Sequence, residues 1–378
     1  MLKVYLDNAA TTPVNKEVIK VMTESMQIVF GNPSSTHQFG RKARAVVEVA
    51  RKNIASHFNV TAGEIIFTAG GTEADNLILH NAVTNLDVQR IVTSKIEHHA
   101  VLHTVLFLKK EFGIIVEYID IHADGSIHLE DLEEKLKTSG KKTMVSLLYI
   151  NNEIGNVLPI NKVAALCQKY KALFHSDTVQ AIGHYAIDLQ KTPVDFIAAS
   201  AHKFNGPKGV GFAYFKKGYG IKPILHGGNQ EKGVRSGTEN VHAIAGMEKA
   251  LELSCDSMKK DEIYLNTLKQ YFITELKALP PDITFNGCSG NITKSSCTIL
   301  NVLFPFTDDM LLFSLDLHGI AVSGGSACQS GSHAGSHVLN ELLNEEDKLK
   351  TAIRFSFSRD TTKEELDYTI KKLKELII

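Results

Sequence analysis

The stretch that decides the fold is residues 195–212, which read DFIAASAHKFNGPKGVGF. A short apolar run is followed by the polar pair His202-Lys203 and then by a glycine-rich turn. Apolar runs of this length, bounded by glycine, proline or polar residues, predict buried strands. We therefore expect Lys203 at the end of a strand, where partial desolvation makes a lysine amine reactive toward aldehydes.

Six other apolar runs alternate with helical periodicity between residue 14 and about residue 250. They are IIFTAG (65–70), RIVTSK (90–95), IVEYID (115–120), TMVSLLYIN (143–151), LFHSD (173–177) and VGFAYF (210–215). Repeated strand–helix units predict a mainly parallel sheet that is covered by helices on both faces. Because ligands bind such sheets beyond the carboxyl ends of the strands, the residues after each run are the candidate site.

The regular alternation of predicted strands and helices ends after about residue 255. The sequence there predicts a helix over about 257–278, a strand over 295–304, a helix over 308–318, a loop rich in glycine and serine over 323–336, and a last helix from Thr362. We therefore expect a large α/β domain of residues 14–255. A smaller α+β domain is predicted to combine residues 1–13 with residues 256–378.

Composition narrows the class of protein. The 378 residues carry 41 basic and 42 acidic side chains, so the strongly positive surface typical of nucleic-acid binding is not expected. No signal peptide and no apolar run long enough to span a membrane is recognisable. The five cysteines are scattered and form no C-x-x-C pair, which argues against a disulfide framework or a zinc site. We expect a cytoplasmic protein without a metal ion.

Polar groups at two strand ends suit a phosphate. Gly71 and Thr72 follow the first of the large-domain runs and open a helix, whose free N–H groups and positive dipole end attract anions. An ordinary glycine turn explains the same residues equally well. Ser200 and His202, which flank the strand end next to Lys203, are further candidate donors to a phosphate.

Three other strand-end residues suit an aromatic ring. Asp177 ends the run LFHSD, where a carboxylate can pair with a protonated ring nitrogen or cap a helix. Gln180 is close enough in sequence to bind the same ring. His98 offers a flat face for stacking, although a single histidine is more often structural. Together with Lys203, these groups are typical of enzymes that use pyridoxal phosphate.

Eight motifs occur together along nearly the whole chain. They are YLDNAATTP (5–13), FGNPSSTHQFG (30–40), FTAGGTEADN (67–76), NNEIG (151–155), SAHKFNGPKGVG (200–211), HGGNQEKGVRSGTEN (226–240), SGGSAC (323–328) and IRFSFSR (353–359). In this set and order the sequence resembles the cysteine desulfurase family of the NifS/IscS type. Those proteins are pyridoxal-phosphate enzymes of the aspartate-aminotransferase fold (fold type I) and are related to class V aminotransferases. The resemblance implies a large domain with a mainly parallel, seven-stranded sheet.

The resemblance also implies roles for the cofactor-binding residues. Lys203 would carry the cofactor covalently, His98 would stack on its ring, and Asp177 would pair with the ring nitrogen. Asn152 and Gln180 would bind the ring substituents. The phosphate would be held by Gly71, Thr72, Ser200 and His202, and by Thr238 from the second subunit of a homodimer.

A second group of residues is implied to act on the substrate. Cys328 stands among glycines and serines that cannot bury it, which suits a nucleophile that must move, and the family carries its persulfide at this position. Arg354 would hold the substrate carboxylate with its guanidinium fork, and Asn8 and Thr11 would line the same entrance.

The implied reaction converts L-cysteine to L-alanine and leaves the sulfur on Cys328, with Lys203 as base and His98 as a candidate for proton transfer. The sulfur would then pass to an acceptor such as an iron–sulfur scaffold protein, with no nucleic acid or membrane involved. A selenocysteine lyase, another small lyase of this class or a catalytically silent protein of this fold are the alternatives. The sequence does not identify the sulfur acceptor. The Cys328 loop is unusually rich in histidine, with His333 and His337, and the chain ends at Ile378, where scaffold-binding family members often continue.

Overall fold

The strands of the computed structural model belong to three sheets. The model describes residues 2–138, 140–280, 282–324 and 335–377. In chain order the strands are β1 (Val4–Tyr5), β2 (Ile65–Thr68), β3 (Arg90–Thr93), β4 (Ile115–Tyr118), β5 (Thr143–Ser146), β6 (Leu173–Asp177), β7 (Phe196–Ser200), β8 (Gly211–Phe215), β9 (Thr284–Phe285), β10 (Ile299–Leu303), β11 (Ile320–Ala321) and β12 (Ala352–Ser356).

The largest sheet has seven strands in the order β2-β8-β7-β6-β5-β3-β4. Only β8 runs antiparallel to its neighbours, so the predicted fold class is confirmed. The run 143–151, predicted as one strand, is regular only to Ser146. The chain then continues without regular strand pairing to Asn151, which turns it because its side-chain oxygen accepts the N–H groups of Glu153 and Ile154 at 2.9 and 3.1 Å.

Ten α-helices in the described ranges surround the sheets. They are α1 (Lys16–Ile28), α2 (Gln38–His57), α3 (Gly71–Thr84), α4 (His99–Phe112), α5 (Leu129–Lys137), α6 (Ile160–Lys169), α7 (Val241–Lys277), α8 (Leu311–Leu317), α9 (His337–Leu342) and α10 (Lys363–Ile377). No helix of this part of the chain is both long and apolar enough to cross a bilayer.

Helix α7 differs from the sequence prediction. The predicted helix of about 257–278 in fact begins at Val241, where Asn240 caps it by accepting the N–H of Ala243 at 3.3 Å. Its first half, to Leu251, packs into the core under the seven-stranded sheet. Its second half, from Leu265, packs into a separate core. The proposed division between residues 255 and 256 therefore falls inside a continuous helix, and that division remains a proposal.

The second core lies around the two small sheets. Strands β12, β10 and β9 pair antiparallel, and β1 pairs parallel with β11. The first residues of the chain contact this part directly, because Ser356 donates its N–H to the Leu6 carbonyl at 2.7 Å and its hydroxyl accepts the Ala9 N–H at 2.8 Å. This contact brings residues 7–10 against the carboxyl edge of the large sheet.

Candidate active site

A cavity of about 370 Å³ lies at the carboxyl ends of β6 and β7. Its lining brings together residues that are far apart in sequence and that the sequence analysis selected. They are Gly71, Thr72, His98, Asn152, Asp177, Gln180, Ser200, His202, Lys203 and Arg354. The strand-end argument therefore located the cavity correctly, while the role of each residue remains a prediction.

One side of the cavity is suited to an anion. Helix α3 begins at Gly71 without a side-chain cap, because the preceding residue is Gly70 at φ +155°. A Cβ on Gly71 would lie 2.5 Å from the side chain of Val179, so the close approach requires glycine. The first N–H groups of α3, with Thr72 and Ser200 beside them, form the kind of cradle that holds a phosphate.

Lys203 lies in a short 3₁₀ turn (Ala201–Lys203) directly after β7. Its Nζ donates to the carbonyl oxygens of Ala9 and Ala10 at 2.5 and 2.9 Å. Gln180 donates to the Ala9 carbonyl as well, at 2.9 Å. The amine is thus held at the cavity by the N-terminal segment.

Asp177 is the last residue of β6, and its Oδ1 accepts the N–H of Val179 at 2.9 Å. Burial raises the pKa of Asp177 to about 6, although the Val179 N–H and the charge of Lys203 oppose this shift. A protonated ring nitrogen would supply the positive partner that favours the ionised carboxylate. The residues present therefore fit the pyridine ring of pyridoxal phosphate.

His98 is the residue before α4, and its Nδ1 accepts the N–H of Ala100 at 3.1 Å. That bond assigns the proton of the neutral ring to Nε2. Burial, with a smaller effect of Lys203, lowers the pKa of His98 to about 4, so the ring is neutral at pH 7. Burial likewise lowers the pKa of His202 to about 4, and Thr11 contacts its Nδ1 at 3.1 Å.

Arg354 lies in the middle of β12 and is 1% exposed. Its guanidinium contacts Asp7 Oδ1 at 2.9 Å and donates to the Asn152 carbonyl at 2.8 Å, while its Nε has no partner among the described residues. Asp7, which the sequence analysis did not select, also accepts the Ser323 hydroxyl at 2.7 Å. The guanidinium is therefore fixed in orientation and still has N–H groups for a carboxylate.

Three other predicted residues, all in the described ranges, lie outside this cavity. Asn8 is buried and donates to the Ser356 carbonyl at 2.9 Å, beside a separate small cavity. Thr11 lies on the phosphate side, in an open cleft with His202, rather than near Arg354. Thr238 is exposed in a surface loop. Cys328 and His333 lie outside the described residues. The roles given to these residues stay predictions.

Four ionisable lining residues were not chosen from the sequence for a role, namely Asp75, His99, Glu153 and His337. His337 donates through Nε2 to the Glu97 carbonyl oxygen at 2.9 Å, and the centre of its ring lies 4.3 Å from that of His99. Helical spacing was the signal for Asp75, because it follows Gly71 by four residues and so shares its face of α3. Within the described ranges, no group of three or more His, Cys, Asp or Glu side chains could hold a metal ion.

Comparisons with known proteins agree with this geometry. The model of the family "Aminotransferase class-V" matches residues 4–369. A cysteine desulfurase IscS of Dictyoglomus turgidum is 41% identical over 99% of this chain and 94% of its own length. A solved structure described as a NifS-like protein superposes with a TM-score of 0.91 at 34% identity, covering 100% of this chain and 99% of that one. A solved structure of SspA in complex with cysteine has a TM-score of 0.81 at 31% identity, covering 96% of this chain and all of that one.

These matches run almost from end to end, and they include the residues that surround the cavity. The resemblance seen in the sequence is thereby confirmed, as is the cofactor that it implied. The chain belongs to the aminotransferase class-V family and, within it, to the pyridoxal-phosphate-dependent cysteine desulfurases of the NifS/IscS type.

Proposed function

We propose that this chain converts L-cysteine to L-alanine and places the released sulfur on Cys328 as a persulfide. The observation that carries the proposal is the single cavity in which the Lys203 amine, the buried Asp177 carboxyl and the Arg354 guanidinium meet. The similarity to SspA, whose structure contains cysteine, supports cysteine as the substrate.

Arg354 binds the substrate carboxylate. Asp7 and the Asn152 carbonyl already orient the guanidinium, so little conformational freedom is lost when the anion arrives. The contact is a charge-assisted hydrogen bond in a buried place, which is stronger than the same bond in water. Because the arginine is fixed at the end of the cavity, the substrate side chain is directed away from it.

The proton transfers are assigned to two residues. Pyridoxal phosphate, when bound, supplies the electron sink that makes the Cα proton of cysteine acidic. Lys203 takes this proton as general base and later returns one. His98 is neutral at pH 7 because burial lowers its pKa to about 4, and since Nδ1 accepts the Ala100 N–H, the ring presents its Nε2–H as the proton that it can pass on.

Cys328 completes the transfer as a thiolate. It attacks the substrate sulfur, so that an S–S bond forms, the C–S bond breaks and its electron pair returns to carbon. The described residue Ser323, which precedes the loop carrying Cys328, supports the proposal that the Cys328 thiol can reach the substrate. Ser323, five residues before Cys328, exchanges backbone hydrogen bonds with Arg354, and five residues span at most about 18 Å.

The partners follow from the same assignment. The sulfur passes to an acceptor thiol on a protein such as an iron–sulfur scaffold, a role supported by the IscS name of the relatives. Thr238 reaches the phosphate of the second subunit in a homodimer. A cytoplasmic location is supported by the unpaired state of the cysteines in the described ranges, namely Cys167, Cys255, Cys288 and Cys297.

The experiment is to purify the protein, record its visible absorbance and measure alanine and sulfide formed from cysteine, with dithiothreitol present to reduce the persulfide and release its sulfur as sulfide. We expect a yellow protein with stoichiometric products. Cys328→Ala should remain yellow but release no sulfide, whereas the matched variant Cys255→Ala should keep both properties. A colourless protein, or sustained sulfide release by Cys328→Ala, contradicts the proposal.

A further inference from the structure

A buried acid–base pair forms part of the cavity wall. Asp75 on α3 is 1% exposed and lines the cavity, and His175 in the middle of β6 is fully buried. Asp75 Oδ1 lies 3.3 Å from His175 Nε2. Neither carboxyl oxygen of Asp75 nor His175 Nε2 has another partner among the described residues. Both groups are satisfied only when a proton lies between them.

The other side of the imidazole offers a second place for its proton. His175 Nδ1 lies 2.9 Å from the hydroxyl of Ser146, the residue that pairs with His175 between β5 and β6. A proton on Nδ1 makes this contact a hydrogen bond to the hydroxyl oxygen and leaves the Nε2 lone pair facing Asp75. Asp75 is then the donor, as a protonated carboxyl group.

The surrounding charges favour this uncharged arrangement. Asp177 stands two residues after His175 on the same face of β6, and Glu97 lies in the turn between β3 and α4. Burial, with repulsion from both carboxyls, raises the pKa of Asp75 well above its usual range. Burial lowers the pKa of His175 to about 3 and raises that of Glu97 to about 8. The charge of Lys203 acts on Asp177 in this cluster, and His98 lines the same cavity.

We propose that Asp75 and His175 are positioning residues for the cofactor, which share one proton across their contact and leave Asp177 as the carboxylate that meets the ring nitrogen. A second ionised carboxylate beside Asp177 would raise the cost of ionising it. The shared proton removes that charge, while the link through Ser146 fixes the strand that carries Asp177. The inference rests on the proposed role of Asp177.

The test compares three variants of the holoenzyme and of its cofactor-free form. Asp75→Asn keeps a donor toward His175 Nε2 and carries no charge. Asp75→Leu removes the donor but keeps the volume. Asp195→Asn is the matched control. Asp195, like Asp75, is a buried aspartate, but it precedes β7 and so lies at the opposite edge of the sheet from the cavity. The readouts are the dissociation constant for pyridoxal phosphate and the pH at which the absorbance of the lysine-bound cofactor changes.

We expect Asp75→Asn to match the wild type within about twofold in affinity, with an unchanged absorbance titration, because the original group is already uncharged. Asp75→Leu should bind the cofactor about tenfold more weakly, which is the effect of about one lost buried hydrogen bond. Adding His175→Leu to Asp75→Leu should cost little more, since the two residues act as a unit. Asp195→Asn should leave both readouts unchanged.

Two results overturn the inference. A titration midpoint that moves by a pH unit or more in Asp75→Asn means that Asp75 is an anion in the wild type. Full cofactor affinity in Asp75→Leu means that the pair does not position the site. Asp75→Asn decides the question of charge even if Asp75→Leu does not fold. An Asp177→Asn variant with unchanged affinity and absorbance titration would instead refute the proposed role of Asp177, so the two failures are distinguishable.

Discussion

The seven-stranded sheet carries an aspartate and a lysine both at the amino ends of its strands (the amino edge) and at their carboxyl ends (the carboxyl edge). The two pairs make different contacts. At the amino edge, Asp195 accepts the Phe174 N–H at 2.9 Å and the Tyr219 hydroxyl at 3.1 Å, and it contacts Lys216 at 3.3 Å. At the carboxyl edge, Asp177 accepts the N–H of Val179, and Lys203 donates to the backbone carbonyl oxygens of Ala9 and Ala10.

The difference shows which polar groups belong to the fold and which belong to the site. Buried polar groups are nearly always hydrogen-bonded, so a cluster of unsatisfied ones needs an explanation. Around the carboxyl edge the buried atoms without a hydrogen-bond partner in the described ranges include those of Asn8, Glu153, His337 and Arg354. This edge is complementary to something other than the protein itself, which is what a ligand site requires.

The largest expected effect comes from replacing each of the two lysines, Lys203 and Lys216, by alanine. Lys203→Ala should lower kcat for alanine formation from cysteine by at least about a thousandfold, because it removes the general base together with the covalent anchor. Lys216→Ala should keep nearly full activity, since that side chain is half exposed and contacts only the structural Asp195. Comparable losses in both variants would erase the functional distinction between the edges.

Replacing the two aspartates should affect different properties: activity for Asp177 and stability for Asp195. Asp177→Asn should lower kcat by about a hundredfold or more while leaving the free energy of unfolding nearly unchanged, because burial already disfavours the charged carboxylate. Asp195→Asn should destabilise the protein by about 1–3 kcal/mol, because it weakens hydrogen bonds that a charged acceptor makes. Urea unfolding and steady-state kinetics on both variants measure the contrast.

A smaller effect is expected where the substrate carboxylate binds. Arg354→Lys keeps the charge but loses the planar fork, so KM for cysteine should rise about tenfold with a modest change in kcat. Arg359→Lys is the control on the same segment, since Arg359 pairs with Asp261 outside the main cavity. An unchanged KM in Arg354→Lys would remove Arg354 from the proposed anion site.

The smallest effect concerns stability in acid. The pKa of His98 is lowered to about 4 in the folded protein, while an unfolded histidine titrates near 6.5. The unfolded state therefore takes up the proton first, so the stabilisation is present above pH 6.5 and is lost as the pH falls toward 4. In the cofactor-free protein, His98→Gln should reduce the acid loss at pH 6 by about 1 kcal/mol. An exposed control, His226→Gln, should not.

Much of this arrangement was predictable from the sequence, because strand ends can be recognised without coordinates. Lys203, Asp177 and Ser200 were placed correctly since each closes an apolar run at the same edge of a parallel sheet. Asp7 and His175 were not recognised, because their importance depends on contacts with Arg354 and Asp75 that join distant parts of the chain. The start of α7 was missed for a related reason, since Asn240 caps it inside a loop without clear periodicity.

The continuity of α7 has a consequence for attempts to divide the chain. Each half of this helix supplies buried side chains to a different core. A fragment of residues 14–255 would keep the strand ends that line the cavity but would lack the N-terminal strand and Arg354, and its last helix would be interrupted in its middle. Neither piece would be a self-sufficient folding unit, so expression trials, proteolysis and recombination between relatives should all treat residues 241–277 as indivisible.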